Sequence, residues 1–347
     1  MKILQLGAGS MGSRRMRDLA RRGDISLGLY DERADRRAAA QAKFGVEAFA
    51  AFDDALAWSP DALIISTPPG TKGPYIDLAL ERGLHHFSEA DIWTYGAAEK
   101  AARKPGIVSA PSDSMAFLPL IRGLGPLLQD NVGQILSYQF FMSTYMPSWH
   151  PTEGLEYYAR HRNAAPAREM IPFELSYLDA LFGPASEVAG RYEKFGKLDG
   201  AIEDTWSLSM RLRDGGIGQL TITMACPAAD YRRGCVFGTK GQMTWDVFTG
   251  RVTLQTAADK VPRQLEFGPI GAVLEAAYAE EINTFVEAVQ GRKAWPNPYA
   301  ASQQSCATLA AAERSSRTGR WERVDPLAEP EHFPPGSGVV TTPAARA

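Results

Sequence analysis

Roughly the first 110 residues alternate short apolar runs with stretches of helical spacing, a pattern that few folds accommodate. "KILQLGA" is followed by a segment with apolar residues at Met11, Met16, Leu19 and Ala20, closed by Gly23. "ISLGLYD" precedes the alanine-rich "ADRRAAAQAKFG", "DALIISTPP" precedes "PYIDLALERG", and "HHFSEA" and "GIVSA" continue the series. Strands that alternate with helices across short loops form βαβ units, and right-handed crossovers then require a parallel sheet.

Gly7-x-Gly9-x-x-Gly12 lies between the first strand and the first helix. Its glycines permit a tight turn, backbone approach to a pyrophosphate, and close packing of helix on strand. The helix start, with Ser10 and Met11 inside the loop, offers free N–H groups and the positive end of a dipole to phosphate. Asp31 ends the second strand about 20 residues on, where a carboxylate accepts ribose hydroxyls and repels a 2′-phosphate. The pattern predicts NAD over NADP, although Arg33, Arg36 and Arg37 follow closely and pull the other way.

A chain of 347 residues exceeds a typical single core, so two domains are expected: 1–112, 113–325, and a tail 326–347 rich in proline and alanine that wraps the protein or hangs loose. Residues 187–258 read as successive strands separated by glycine turns, the spacing of an antiparallel sheet. The fold class is α/β, a dinucleotide-binding domain followed by an α+β domain. A net charge of −3 without a basic run gives no case for nucleic acid, and no apolar run reaches the roughly 18 residues of a membrane span. Three scattered cysteines and a glycine-rich start that is no signal peptide point to the cytoplasm.

The chain resembles the Gfo/Idh/MocA family of sugar and inositol oxidoreductases over most of its length. The residues that carry the likeness are "GAGSMG" (7–12), "DALIISTPP" (61–69), "GLHHFSE" (83–89), "DGGIGQL" (214–220), "GTKGQM" (238–243), "YAEEINTFVEAVQG" (278–291) and "AERSSRTGR" (312–320). The resemblance implies a Rossmann domain, a second domain with an open, mostly antiparallel sheet, and hydride transfer between nicotinamide and a carbinol carbon. It implies cofactor contacts from Thr67, Pro68 and Glu89, and a homodimer or homotetramer built on the outer sheet face. The family's usual Glu-Lys-Pro is altered, with Glu89 kept but Ala90 and Asp91 following. Where the family often has a histidine after "TPP" stands Lys72, and near the histidine of its Asp-x-Gly-x-His helix stands Glu174.

A replacement acid–base group is therefore expected among His150, Glu174 and Lys72. With Pro151 at a first helical position, His150 caps a helix whose Glu153, Tyr157 and His161 share a stripe and line a polar pocket. A solvated helix is the plainer reading of the same stripe. Trp149 offers a platform for a sugar ring, and Arg168 with its neighbouring arginines hints at an anionic substituent. Glu174, between Phe173 and Leu175, is either a buried acid of raised pKa or half of an ion pair with Arg160, Arg162 or Arg168. The functional reading is an NAD-dependent oxidoreductase acting on a secondary hydroxyl or ketone of a sugar-like small molecule. Two other readings stay open: an enzyme that retains NAD and uses transient oxidation for elimination, epimerisation or glycoside cleavage, and a nucleotide-binding pseudoenzyme.

Overall fold

The computed structural model describes residues 1–92, 97–149, 161–198, 202–228 and 230–333. The chain divides into two compact units, Met1–Phe117 with Glu275–Gln303, and Leu118–Leu274 with the chain from Gln304 on.

The first unit contains β1 (Lys2–Leu6), α1 (Ser10–Leu19), β2 (Ser26–Tyr30), α2 (Ala34–Phe44), β3 (Glu47–Phe49), α3 (Phe52–Ala57), β4 (Ala62–Ile65), α4 (Gly73–Arg82), β5 (His85–Ser88), α5 (Ala97–Ala102) and β6 (Ser109–Pro111). Its six strands pair in parallel in the order β3-β2-β1-β4-β5-β6. That is the doubly wound order whose carboxyl edge binds dinucleotides. β1 and β4 are buried on both faces, which explains their unbroken apolar runs. Strand β3 and helix α3 are absent from the sequence expectation, because three residues carry no readable period.

The second unit begins with α6 (Pro119–Asn131) and β7 (Ile135–Ser143), then α7 (Pro166–Phe182) and β8 (Ala185–Glu193). Strands β9 (Thr205–Leu212), β10 (Ile217–Thr223), β11 (Tyr231–Gly238), β12 (Gly241–Asp246), β13 (Arg251–Thr256) and β14 (Arg263–Glu266) follow. Two long helices, α8 (Ile270–Val289) and α9 (Tyr299–Thr318), and the short β15 (Glu322–Arg323) complete the described elements. The nine strands run β14-β13-β12-β11-β7-β10-β9-β8-β15, antiparallel except where β7 meets β10. α7 packs on β9 and β10, and α6 on β13. Leu220, Ile222 and Met224 face inward and are buried, while Thr221 and Thr223 alternate with them on the outer face. The outward apolar residues are others: Phe141, Ile217, Tyr231 and Phe237.

Residues 275–303 return to the first unit for a packing reason. Ile282, Phe285 and Val286 of α8 fill a cluster with Ile3, Leu19, Ile64 and Phe87, closing one face of the parallel sheet. The tail, as far as Phe333, is fastened to the second unit. The Asn163 side-chain amide donates to the Phe333 carbonyl and accepts its N–H, each at 2.7 Å. The Phe333 ring lies 3.6 Å from the Arg162 guanidinium and 4.9 Å from that of Arg168. Residues 334–347 lie outside the described residues.

His86 on β5 is fully buried beside Tyr299, and burial pushes its pKa down to about 4. Between that value and the ordinary 6.5 an unfolded chain binds a proton that the native one refuses, so this group's contribution to stability is lost as pH falls through the window. Melting curves of wild type and His86→Leu compared from pH 7 down to pH 4 are expected to show a smaller acid loss in the variant, the difference reaching about 3 kcal/mol at most.

Candidate active site

In the first unit the glycine loop joins β1 to α1. Gly7 has φ +89°, and a Cβ there would stand 2.7 Å from the Ser66 carbonyl oxygen; one on Gly12 would stand 2.0 Å from that of Gly7. Neither position accepts a side chain. Gly9 differs: above it only the Arg36 Nη1 lies within 4 Å of a built Cβ, at 3.8 Å. Gly9 is also the N-cap of α1, with no side-chain cap and no acid in the first turn, so Ser10 and Met11 begin a helix whose positive end is open to an anion.

Asp31, at the end of β2, is nearly buried. Its Oδ2 accepts the Ala8 N–H at 2.7 Å and its Oδ1 the Arg33 N–H at 2.8 Å, which ties the glycine loop to the second strand. Each oxygen keeps a further lone pair for a ribose hydroxyl. Of the three arginines that follow, Arg33 pairs with Asp35 and Arg37 donates to the Asp31 and Glu32 carbonyls. Arg36 alone approaches the Asp31 carboxylate, at 4.0 Å. The glycine cradle, the uncapped helix start and the acid together fit a dinucleotide with a free 2′-hydroxyl.

At the carboxyl ends of β4 and β5, Glu89 is gripped by Arg15, Nε to Oε1 at 2.8 Å and Nη2 to Oε2 at 3.1 Å. Arg15 also donates to Glu281 at 2.7 Å and to the Tyr278 carbonyl at 3.2 Å, and it lies 4.8 Å from the Phe87 ring. Burial works against this guanidinium, but Glu281 and Glu89 outweigh it and hold its pKa above the ordinary value. Sequence reading misses Arg15, although its place one turn after Met11 and before Leu19 puts it on the inward stripe of α1. Thr67 and Pro68 form the loop after β4, where the Thr71 hydroxyl donates to the Pro68 carbonyl at 2.7 Å. Lys72 caps that loop, 2% exposed, with Nζ 3.3 Å from the Ala90 carbonyl and 3.4 Å from Asp91 Oδ2. Asp91 Oδ2 accepts the Gly70 N–H at 2.8 Å, so one carboxylate fixes both ends of the loop.

In the second unit Glu174 is fully buried on α7. Arg232 of β11 reaches its Oε1 at 2.6 Å and the Tyr177 hydroxyl donates to Oε2 at 2.6 Å. Burial raises the Glu174 pKa, with Arg232 opposing. The partner is thus Arg232, 58 positions away (232 − 174), and not one of the nearer arginines. Arg162 pairs with Glu203 at 3.0 Å, and Arg168, wholly buried, with Glu313 at 2.6 Å and the Glu331 carbonyl at 2.6 Å. Trp149 is 37% exposed and donates through Nε1 to Thr144 Oγ1 at 3.2 Å; the Thr144 hydroxyl donates to Asp230 at 2.6 Å. Thr144, Asp230 and Arg232 escape sequence reading because strand pairing alone brings them there. His161 is exposed at the start of a short 3-10 turn. His150, Glu153 and Tyr157, with the helix expected to carry them, lie outside the described residues.

A parallel sheet of this order with a glycine cradle and an acid ending β2 defines a dinucleotide-binding domain, which this chain carries together with a second unit built on an open mixed sheet. The chain belongs to the GFO/IDH/MocA oxidoreductase family. Residues 1–103 match the family's NAD-binding Rossmann domain and residues 127–244 its C-terminal domain. No curated protein matches in sequence. Among solved structures, GenD2 from gentamicin A biosynthesis in complex with NAD is similar at 21% identity and TM-score 0.77, covering 94% of this chain and 96% of that one. Levoglucosan dehydrogenase with NADH and levoglucosan gives 16%, 0.80, 93% and 99% for the same quantities. The WlbA dehydrogenase of Bordetella pertussis with NADH and UDP-GlcNAcA gives 19%, 0.76, 94% and 98%.

Fluorescence titration is expected to show tighter binding of NADH than of NADPH by the wild type. Asp31→Ser is expected to weaken NADH by about tenfold and to narrow or invert the preference, since Arg36 then faces the ribose without a competing carboxylate.

Proposed function

We propose that this chain interconverts a secondary hydroxyl and a ketone on a sugar-like substrate, with Lys72 moving the proton. The observation that carries the reading is the position of the Lys72 ammonium, 3.3 Å from the carbonyl of Ala90. In the family that this sequence resembles, the residue after the glutamate is a lysine that contacts the reacting hydroxyl. Here that residue ends in a methyl group, and Lys72 brings an ammonium to its backbone from the neighbouring loop. Asp91, in place of the family proline, supplies the counter-ion at 3.4 Å. The three departures at 72, 90 and 91 thus form one coupled exchange.

When bound, NAD accepts the hydride that leaves the carbinol carbon. In the reductive direction Lys72 gives a proton to the forming alkoxide, and the oxidative direction is the reverse of that transfer. Glu89, fixed by Arg15, serves as an oriented acceptor beside the cofactor. Glu174 has both oxygens engaged and no exposed atom, so it holds Arg232 in place. The sugar class is supported by the levoglucosan and UDP-GlcNAcA named with the similar structures.

A sugar screen followed by NADH absorbance is expected to find turnover, and Lys72→Met to lower kcat by about 10²–10⁴ with NADH affinity changed less than a few-fold. If Lys72→Met keeps turnover within a few-fold and His150→Ala abolishes it, the proton passes through the 150–160 segment and the assignment falls. Product without free NADH would favour the NAD-retaining reading.

The outer sheet face serves as the subunit interface. Phe141 and Phe237 (each 43% exposed), Ile217 (51%) and Tyr231 (39%) stand on adjacent strands among threonine, serine and glutamine, and a monomer would leave that apolar set in water. Sedimentation at micromolar concentration is expected to report a dimer or tetramer, and Phe141→Glu with Phe237→Glu to shift it toward monomer.

A further inference from the structure

Arg162 and Arg168, two of the arginines that hint at an anionic substrate, and Arg232 are matched inside the second unit, and Arg160 lies outside the described residues. Arg162 meets Glu203, Arg168 meets Glu313 and Arg232 meets Glu174, all at 3.0 Å or less and with partner carboxylates that are wholly buried. An ion pair so deeply desolvated has little charge left to offer a ligand, and removing either member strands the other.

Asp230, just before β11, is exposed, and among the described residues its carboxylate has one hydrogen bond, from the Thr144 hydroxyl at 2.6 Å. Thr144 is itself 4% exposed and receives the Trp149 indole N–H. The directions in this chain are fixed. Indole N–H donates to the threonine oxygen and threonine O–H donates to the carboxylate, so the hydroxyl has no second proton to give and acts as a linker. It holds an exposed aromatic plate beside a carboxylate whose other lone pairs are open. An aromatic face takes the C–H face of a sugar ring, and a carboxylate takes hydroxyl or ammonium donors in charge-assisted hydrogen bonds.

We infer that Trp149, Thr144 and Asp230 form a carbohydrate-binding site of the second unit that selects a neutral or amino-bearing sugar and rejects sugar acids and phosphates. The inference rests on the sugar-substrate reading and gives it a sign of charge. Asp230 determines specificity, Trp149 supplies the plate, and Thr144 positions one against the other. A carboxylate or phosphate on the ligand would meet like charge at Asp230.

The test reads binding, so that it stands apart from turnover. Tryptophan fluorescence or calorimetry is followed at mildly acidic pH with NADH present, using D-glucosamine, D-glucose and D-glucuronate as probes. Wild type is expected to bind glucosamine and glucose at least about tenfold more tightly than glucuronate. Asp230→Asn is expected to weaken glucosamine about tenfold, glucose less, and to leave glucuronate unchanged or improved. Thr144→Val, which keeps the shape and loses the linker, is expected to lie between wild type and Asp230→Asn. Preference for glucuronate in the wild type, an unchanged ratio in Asp230→Asn, or no binding of any probe would overturn the subsite. NADH binding, intact in all variants, shows that each is folded. Sugar turnover lost in Lys72→Met while the Asp230 ratio holds would leave the subsite standing, and turnover without the ratio would leave only the oxidoreductase reading.

Discussion

A guanidinium with no contact with water organises the cofactor unit. Arg15 is fully buried and faces two carboxylates, Glu89 and Glu281, with the Ser112 hydroxyl and the Asp113 N–H completing the shell around Glu281. Each group would be costly to bury alone; together they satisfy one another. The arrangement fixes the rotation of α1 about its axis, because any slip would leave a bare charge in the core. That rotation sets where the glycine loop directs its N–H groups. The same arginine orients Glu89 at the mouth of β5 and draws α8 onto the sheet. A greasy replacement triad could match its stability but would not define those three directions at once.

Much of the cofactor unit was legible because its signals are local. Strand–helix alternation, the three glycines and Asp31 lie within about 30 residues, and each acts through backbone geometry that a neighbour in sequence can specify. The strands of the second sheet were legible for the same reason, through turns and period-two alternation. Which face of that sheet is bare was not, because Leu220 and Ile222 look the same whether helices or another subunit cover them. Partners were the least legible. Glu174 announced its burial by its apolar neighbours, yet Arg232 could be named only once β11 was placed beside β7. Arg15 and Glu281 are 266 positions apart, and nothing in either helix names the other.

The two units handle charge differently. In the first, buried charge lies at the carboxyl edge of the sheet, with Lys72 and Asp91 in the loops and Arg15 below them, close to where the fold presents a cofactor. In the second, three arginine–glutamate pairs are locked into the interior, while Trp149 and Asp230 stand exposed. Charge in the first unit is a tool of the site, and in the second chiefly a fastening for α7 and the tail.

Both units are closed by chain that leaves the ribosome late. Arg15 is made among the first residues and its partner Glu281 follows 266 positions later. At ~5–20 residues per second this is a wait of roughly 13–50 s during which Arg15 has Glu89 within reach but not its second carboxylate. Arg162 and Arg168 wait in turn for Phe333 and Glu331. The fold is therefore discontinuous in time as well as in space. Neither unit can reach its final packing well ahead of the other during synthesis, and both are completed only as the last helices and the tail emerge.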